Sequence, residues 1–133
     1  MTNVFTNQPS SLALATILII EDDELMRGFL RCALEAAGYE VREASNGRAG
    51  LSLYRNMPPD LVITDILMPE MNGLDMILDL TREFLNAKVI AISGEDGVAN
   101  VLGTAKLLGA RQIIRKPFSI ERLLSAVRYE LTH

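Results

Sequence analysis

Four short stretches of the chain carry side chains suited to chemistry: the acidic run Glu21-Asp22-Asp23, the isolated Asp65, the hydroxyl of Ser93 and the ammonium of Lys116. Carboxylates crowded together repel and raise one another's pKa unless a cation is bound. Magnesium prefers near-octahedral oxygen coordination, usually from one or two carboxylates, waters and phosphate oxygens. Asp22 and Asp65 are therefore candidates for direct ligation and Glu21 for ligation through water, and manganese would serve by the same oxygen chemistry. A carboxylate can itself attack phosphorus to give an aspartyl phosphate, and phosphoryl transfer asks the protein mainly for positioning and charge neutralisation. In that scheme Asp65 is the nucleophile, Lys116 offsets charge and Ser93 donates a hydrogen bond.

Each piece alone has a plainer explanation. Asp and Ser at strand ends are common as caps of the following helix, Asp23 reads as such a cap or as a solvated charge, and a single lysine is usually a surface residue. Capping does not explain acidic groups at two strand ends with a lysine at a third. The elements that must bring them together are legible. Thr16 to Ile20 is a continuous apolar run, as expected of a strand covered on both faces. Glu24 to Ala37 places Leu25, Met26, Phe29, Leu30, Ala33, Leu34 and Ala37 at helical spacing, with Gly38 where a left-handed cap belongs. Further strands are expected over Glu40 to Ala44, Leu61 to Thr64, Lys88 to Ile92 and Ala110 to Arg115. Helices are expected over Arg48 to Arg55, Leu74 to Leu85, Gly97 to Leu108 and Ser119 to Leu131. Strands alternating with helices imply parallel βαβ units with helices on both faces of a sheet. Ligands then bind beyond the carboxyl ends of the strands, which is where Glu21, Asp22, Asp65, Ser93 and Lys116 fall.

The 133 residues suit one domain. A hydrophobic share of 49% with 23% charged residues is that of an ordinary globular protein. Seventeen acidic against thirteen basic residues leave a net charge of −4, and no basic cluster is present, which argues against nucleic-acid binding. Leu12 to Ile20 lacks the basic flank of a signal peptide and is too short to span a membrane, which takes about 20 residues. Met1 to Ala15 reads as a flexible tail ahead of a domain over residues 16–133. Cys32, the one cysteine, falls in an apolar-periodic stretch and reads as a buried, inert thiol, compatible with a reducing cytoplasm. His133, the one histidine, is terminal and expected to be disordered, so the chain reads as a phosphoryl acceptor and not a donor. Neither a Gly-x-x-x-x-Gly-Lys loop nor a Gly-x-Gly-x-x-Gly fingerprint is present, which disfavours direct use of ATP or a dinucleotide.

Over about Ile17 to Leu131 the sequence resembles the receiver domain family of two-component signalling, on four ordered motifs: Ile-Leu-Ile-Ile-Glu21-Asp22-Asp23, Thr64-Asp65-Ile-Leu-Met68-Pro69-Glu-Met-Asn-Gly73, Ile90-Ala-Ile-Ser93-Gly94 and Arg115-Lys116-Pro117-Phe118. The resemblance implies a doubly wound, flavodoxin-like five-stranded parallel sheet in the order 2-1-3-4-5. It implies that Asp65 is the phosphoacceptor, that Glu21 and Asp22 hold the metal with the Leu67 carbonyl as backbone ligand, and that Ser93 and Lys116 are the family's switch hydroxyl and lysine. Lys116-Pro117 matches the family's cis peptide bond.

Two positions depart from the family pattern. Glu21 stands where Asp is commoner, which lengthens the arm by a methylene. Ile113 stands where many members carry Tyr or Phe, which puts aromatic-coupled switching in question. Leu67 occupies the position, two after the nucleophile, where fast aspartyl-phosphate phosphatases carry an acid/base Asp, so a stored phosphoryl group is expected; Glu95 is near enough to influence water access or is a solvated loop charge. The resemblance thus implies a single-domain response regulator that takes its phosphoryl group from a sensor histidine kinase or histidine phosphotransfer protein. Output would come through a changed surface around the helix over 97–108, the fifth strand and the last helix. Two alternatives stand beside it: a relay intermediate passing the group to a histidine of another protein, and a receiver-like module that binds partners constitutively.

Overall fold

The computed structural model describes residues 15–66, 73–94, 106 and 108–133. In chain order the elements are β1 (Thr16–Ile20), α1 (Glu24–Ala36), β2 (Glu40–Ala44), α2 (Gly47–Asn56), β3 (Leu61–Asp65), α3 (Gly73–Glu83), β4 (Val89–Ser93), β5 (Gln112–Arg115) and α4 (Ile120–Thr132). The five strands form one parallel sheet in the order β2-β1-β3-β4-β5, the 2-1-3-4-5 arrangement expected of the sequence. Of the helix expected over 97–108, Lys106 and Leu108 are helical and the rest lies outside the described residues.

The apolar run of β1 is continuous because both faces are covered. Leu18 and Ile20 point to a core completed by Leu51 and Tyr54 of α2 and Met76, Ile77 and Leu80 of α3. Ile17 and Ile19 point to the opposite core, completed by Leu30 and Leu34 of α1 and Leu123 and Val127 of α4. This two-residue alternation is repeated in β3 and β4, whose every residue is buried. Gly38 has φ 97° and, past the end of α1, donates its amide to the Glu35 carbonyl at 3.0 Å, the left-handed helix ending its position predicted.

Three expectations shift. Cys32 is exposed: it lies two residues from both Leu30 and Leu34, and at 100° per residue that points it away from the sheet. For the same reason Leu25 is 85% exposed; apolar identity alone does not place a residue on the buried stripe. Ala15, assigned to the tail, belongs to the folded unit, being buried against the α1 side of the sheet with its carbonyl accepting from Glu40 N at 2.9 Å. His133, expected to be disordered, has its ring stacked 3.8 Å from that of Tyr129. Met1 to Leu14 lie outside the described residues.

Gly50 of α2 packs directly on Ile20, the residue before the acidic run. A Cβ built there would sit 2.3 Å from Ile20 Cδ1 and 2.7 Å from its Cγ1, in a core where Ile20 is 1% exposed. Gly50→Ala is expected to destabilise the protein by about 1–2 kcal/mol, overpacking outweighing the gain in helix propensity. A urea midpoint equal to or above that of the unaltered chain would refute it.

Candidate functional site

The strand order reverses between β1 and β3, and the carboxyl ends of these two strands face a common crevice. β1 delivers Glu21 and Asp22, and β3 ends in Asp65. Carboxylate oxygens of the three lie within 4.8 Å of one another. Glu21 is 1% and Asp65 7% exposed, while Asp22 is open to solvent. Lys116, following β5, reaches across the rim with its Nζ 3.6 Å from Glu21 Oε1 and 3.8 Å from Asp65 Oδ1. Asp65 Oδ1 also accepts from the Ile66 amide at 2.9 Å.

Backbone pairing sets this convergence. Asp65 stands opposite Ile92 in the β3–β4 register, which puts Ser93 one residue further along the same rim. Ser93 stands opposite Arg115, and its carbonyl accepts from the Lys116 amide at 2.8 Å. The peptide bond from Lys116 to Pro117 is cis. The Ser93 hydroxyl is buried and has no hydrogen-bond partner among the described residues. Five of the six site residues singled out in the sequence, Glu21, Asp22, Asp65, Ser93 and Lys116, thus meet on one rim. Leu67 and Glu95 lie outside the described residues.

Asp23 caps α1, its side chain accepting from Met26 N, and so is spent locally. Glu21 is held differently from its neighbours. Its Oε2 accepts from the Asp23 amide at 3.0 Å, a reach its extra methylene allows, and its Oε1 is buried without a hydrogen bond among the described residues. Burial, and next the nearby Asp65 charge, push the Glu21 carboxyl up to about 7, against the opposing pull of the Asp23 amide and Lys116. Three clustered carboxylates facing one ammonium, with a buried oxygen that accepts no hydrogen bond among the described residues, are a donor set that a hard divalent cation fits.

Two residues that sequence reading did not single out support this rim. The Arg27 guanidinium donates from Nη1 to the Glu21 carbonyl at 2.8 Å and from Nε to Glu43 Oε1 at 3.2 Å. The only signal in the sequence is a basic residue one turn beyond the acidic run; its pairing depends on which strand lies beside β1. Among the described residues no helix is long and apolar enough to cross a membrane.

Comparison with known proteins agrees with this geometry. The family described as the response regulator receiver domain matches residues 17–128. The chain is 41% identical over 112 residues to the chemotaxis protein CheY of Thermotoga maritima, covering 84% of this chain and 92% of that protein. It is 35% identical to the chemotaxis protein CheY of Bacillus subtilis, covering 86% and 96%. A probable transcriptional regulatory protein of Picosynechococcus is 38% identical, but the match spans only 48% of that longer protein. Among solved structures, a response regulator receiver domain protein from Clostridium thermocellum superposes with a TM-score of 0.85 at 30% identity, over 90% of this chain and 95% of that one. With its sheet order, its acidic rim and this match over most of its length, the chain belongs to the response regulator receiver domain family.

Proposed function

We propose that the protein is a phosphoryl-accepting signalling module in which Asp65 takes a phosphoryl group from a phosphohistidine of a sensor histidine kinase or histidine phosphotransfer protein. The observation that carries this reading is the convergence of Glu21, Asp22 and Asp65 within 4.8 Å beside the Lys116 ammonium. An Asp65 carboxylate oxygen forms the bond to phosphorus, the phosphorus–nitrogen bond to the donor imidazole breaks, and the imidazole leaves with the electron pair and is reprotonated. Mg2+, held by Asp22, Asp65 and, through water, Glu21, with the Leu67 carbonyl as a further ligand, would supply charge neutralisation to the phosphoryl oxygens; Mn2+ offers the same chemistry.

This chain's own residues do the rest. Lys116, already between Glu21 and Asp65, offsets the charge of the incoming phosphoryl oxygens. The Ser93 hydroxyl, buried without a partner among the described residues, has a hydrogen bond to give, and its backbone tie to Lys116 couples the two responses. Leu67 brings no acid/base group to the nucleophile, so the adduct is stored and not rapidly hydrolysed. Ile113 packs against the α2 and α3 core, and its aliphatic side chain has no ring to carry the signal outward. Output is a change in affinity for a protein partner, in a cytoplasmic setting.

Intact mass after incubation with acetyl phosphate and Mg2+ tests the chemistry. One phosphoryl adduct is expected on the unaltered chain and none on Asp65→Asn or after chelation. An adduct that survives Asp65→Asn would remove Asp65 from the role, and a folded chain that takes no adduct at all would leave a constitutive binding module.

A further inference from the structure

The Glu21-Asp22-Asp23 turn has few anchors of its own. Asp22 is exposed, and the flanking backbone must fix its place. The Glu21 amide donates to the Ala44 carbonyl at 3.0 Å, and the Asp23 amide is taken by Glu21 Oε2 at 3.0 Å. The Glu21 carbonyl, which belongs to the peptide group carrying Asp22, is held by Arg27 Nη1 at 2.8 Å. Arg27 is held at both ends: its backbone amide is bonded to the Asp23 carbonyl at 2.9 Å, and its Nε is bonded to Glu43 Oε1 at 3.2 Å. Glu43 comes from β2, where it stands opposite Ile19, and its second oxygen pairs with Arg31. The Arg27 side chain is 19% exposed.

We infer that Arg27, oriented by Glu43, is a positioning residue for cation binding: it fixes the peptide plane between Glu21 and Asp22, and with it the place of the Asp22 carboxylate. The inference rests on the reading that these carboxylates hold a divalent cation. A pair serving only to tie α1 to β2 would need the Arg27–Glu43 contact alone; the bond to the Glu21 carbonyl is what reaches the site. Only a planar guanidinium meets both demands, since its donors diverge at fixed angles toward a carboxylate on one strand and a carbonyl beyond another. A lysine has three donors but all on one atom, so it does not span the two acceptors in the same fixed geometry. Partners that orient first-layer ligands typically change metal affinity 10–100-fold when removed.

Charge and positioning predict opposite signs. Arg27 is a cation near a cation site, so by charge alone its removal tightens Mg2+ binding; by loss of positioning its removal weakens it. Calorimetric titration of the full chain with Mg2+, with far-UV circular dichroism as the check on folding, reads the sign directly. Arg27→Ala is expected to weaken Mg2+ binding about tenfold or more, Arg27→Lys and Glu43→Gln to weaken it by smaller factors, and Arg31→Ala to leave it within about twofold. Should Arg27→Ala fail to fold, Arg27→Lys and Glu43→Gln carry the test, and unchanged affinity in both overturns the positioning role. Affinity in folded Arg27→Ala equal to or tighter than that of the unaltered chain overturns it outright. An unaltered chain that binds no Mg2+ overturns the cation reading as well as this one, so the two failures are distinguishable.

Discussion

In the absence of divalent cation the protein should lose stability as pH rises from about 4.5 to about 7, and Mg2+ should restore it. Glu21 is the cause. Its carboxyl is 1% exposed and pushed up to about 7 from 4.5 by burial first and by Asp65 among its neighbours. A folded-state pKa raised above the unfolded value means that the native state binds the proton more tightly. The resulting stabilisation is complete below the unfolded pKa and lost as pH rises through the folded one. A shift of this size corresponds to on the order of 3 kcal/mol. Above pH 7 the metal-free fold must hold an ionised Glu21 in a nearly dry site beside Asp65. Divalent cation reverses the logic: it binds the ionised form, so its stabilising effect grows with pH and its binding releases protons. Urea unfolding at about pH 5 and pH 8, in chelator and in excess Mg2+, measures both effects. Glu21→Gln is isosteric, keeps an oxygen for the Asp23 amide, and is expected to flatten the pH dependence in chelator while removing part of the gain from Mg2+. Equal slopes for the unaltered chain and Glu21→Gln would show that the buried carboxyl is not the group responsible.

The behaviour of Glu21 marks how far the sequence speaks. Its type, its place after an apolar strand and its company with Asp22 and Asp65 were legible, because a short β-branched run such as Thr16 to Ile20 reads as a doubly covered strand and its end is a rim. Sheet order came from the family resemblance, since strand pairing joins residues far apart in the chain, whereas the fall of Asp65, Ser93 and Lys116 on one rim followed from their places at strand ends. What was not legible depends on distances finer than that. Nothing in the spacing says that the longer Glu21 arm folds back onto its own i+2 amide, or that Arg27 and Glu43, sixteen residues apart, meet across β1 and β2. Helix phase was legible only in part. Met26, Leu30, Ala33 and Leu34 mark the stripe that packs on the sheet, yet Leu25 and Cys32, equally apolar, fall off it by their angle around α1. Boundaries moved where burial and strand pairing part company: Ala110 is buried although β5 begins only at Gln112.

Replacing Lys116 by methionine should act in opposite directions on the two halves of the site, tightening Mg2+ binding several-fold while slowing phosphoryl uptake from acetyl phosphate by about a hundredfold. The ammonium stands 3.6 Å from Glu21 and 3.8 Å from Asp65, so before any ligand arrives it neutralises part of the charge that a divalent cation would otherwise neutralise. Removing it leaves the carboxylates with no competing cation, and their attraction for Mg2+ rises. In the proposed reaction the same ammonium is what the incoming phosphoryl oxygens would meet on that flank, where developing charge needs a fixed counter-charge and methionine has none to give. A phosphorylation rate measured at saturating Mg2+ separates the two effects, because tighter metal binding cannot compensate there. Methionine preserves the unbranched stem, so packing beside the Lys116-Pro117 bond is little disturbed and a folding defect is not the expected result. A fall in Mg2+ affinity would place Lys116 among the residues that hold the site together and not among those that compete for it. An unchanged rate would move the neutralising role away from Lys116 altogether.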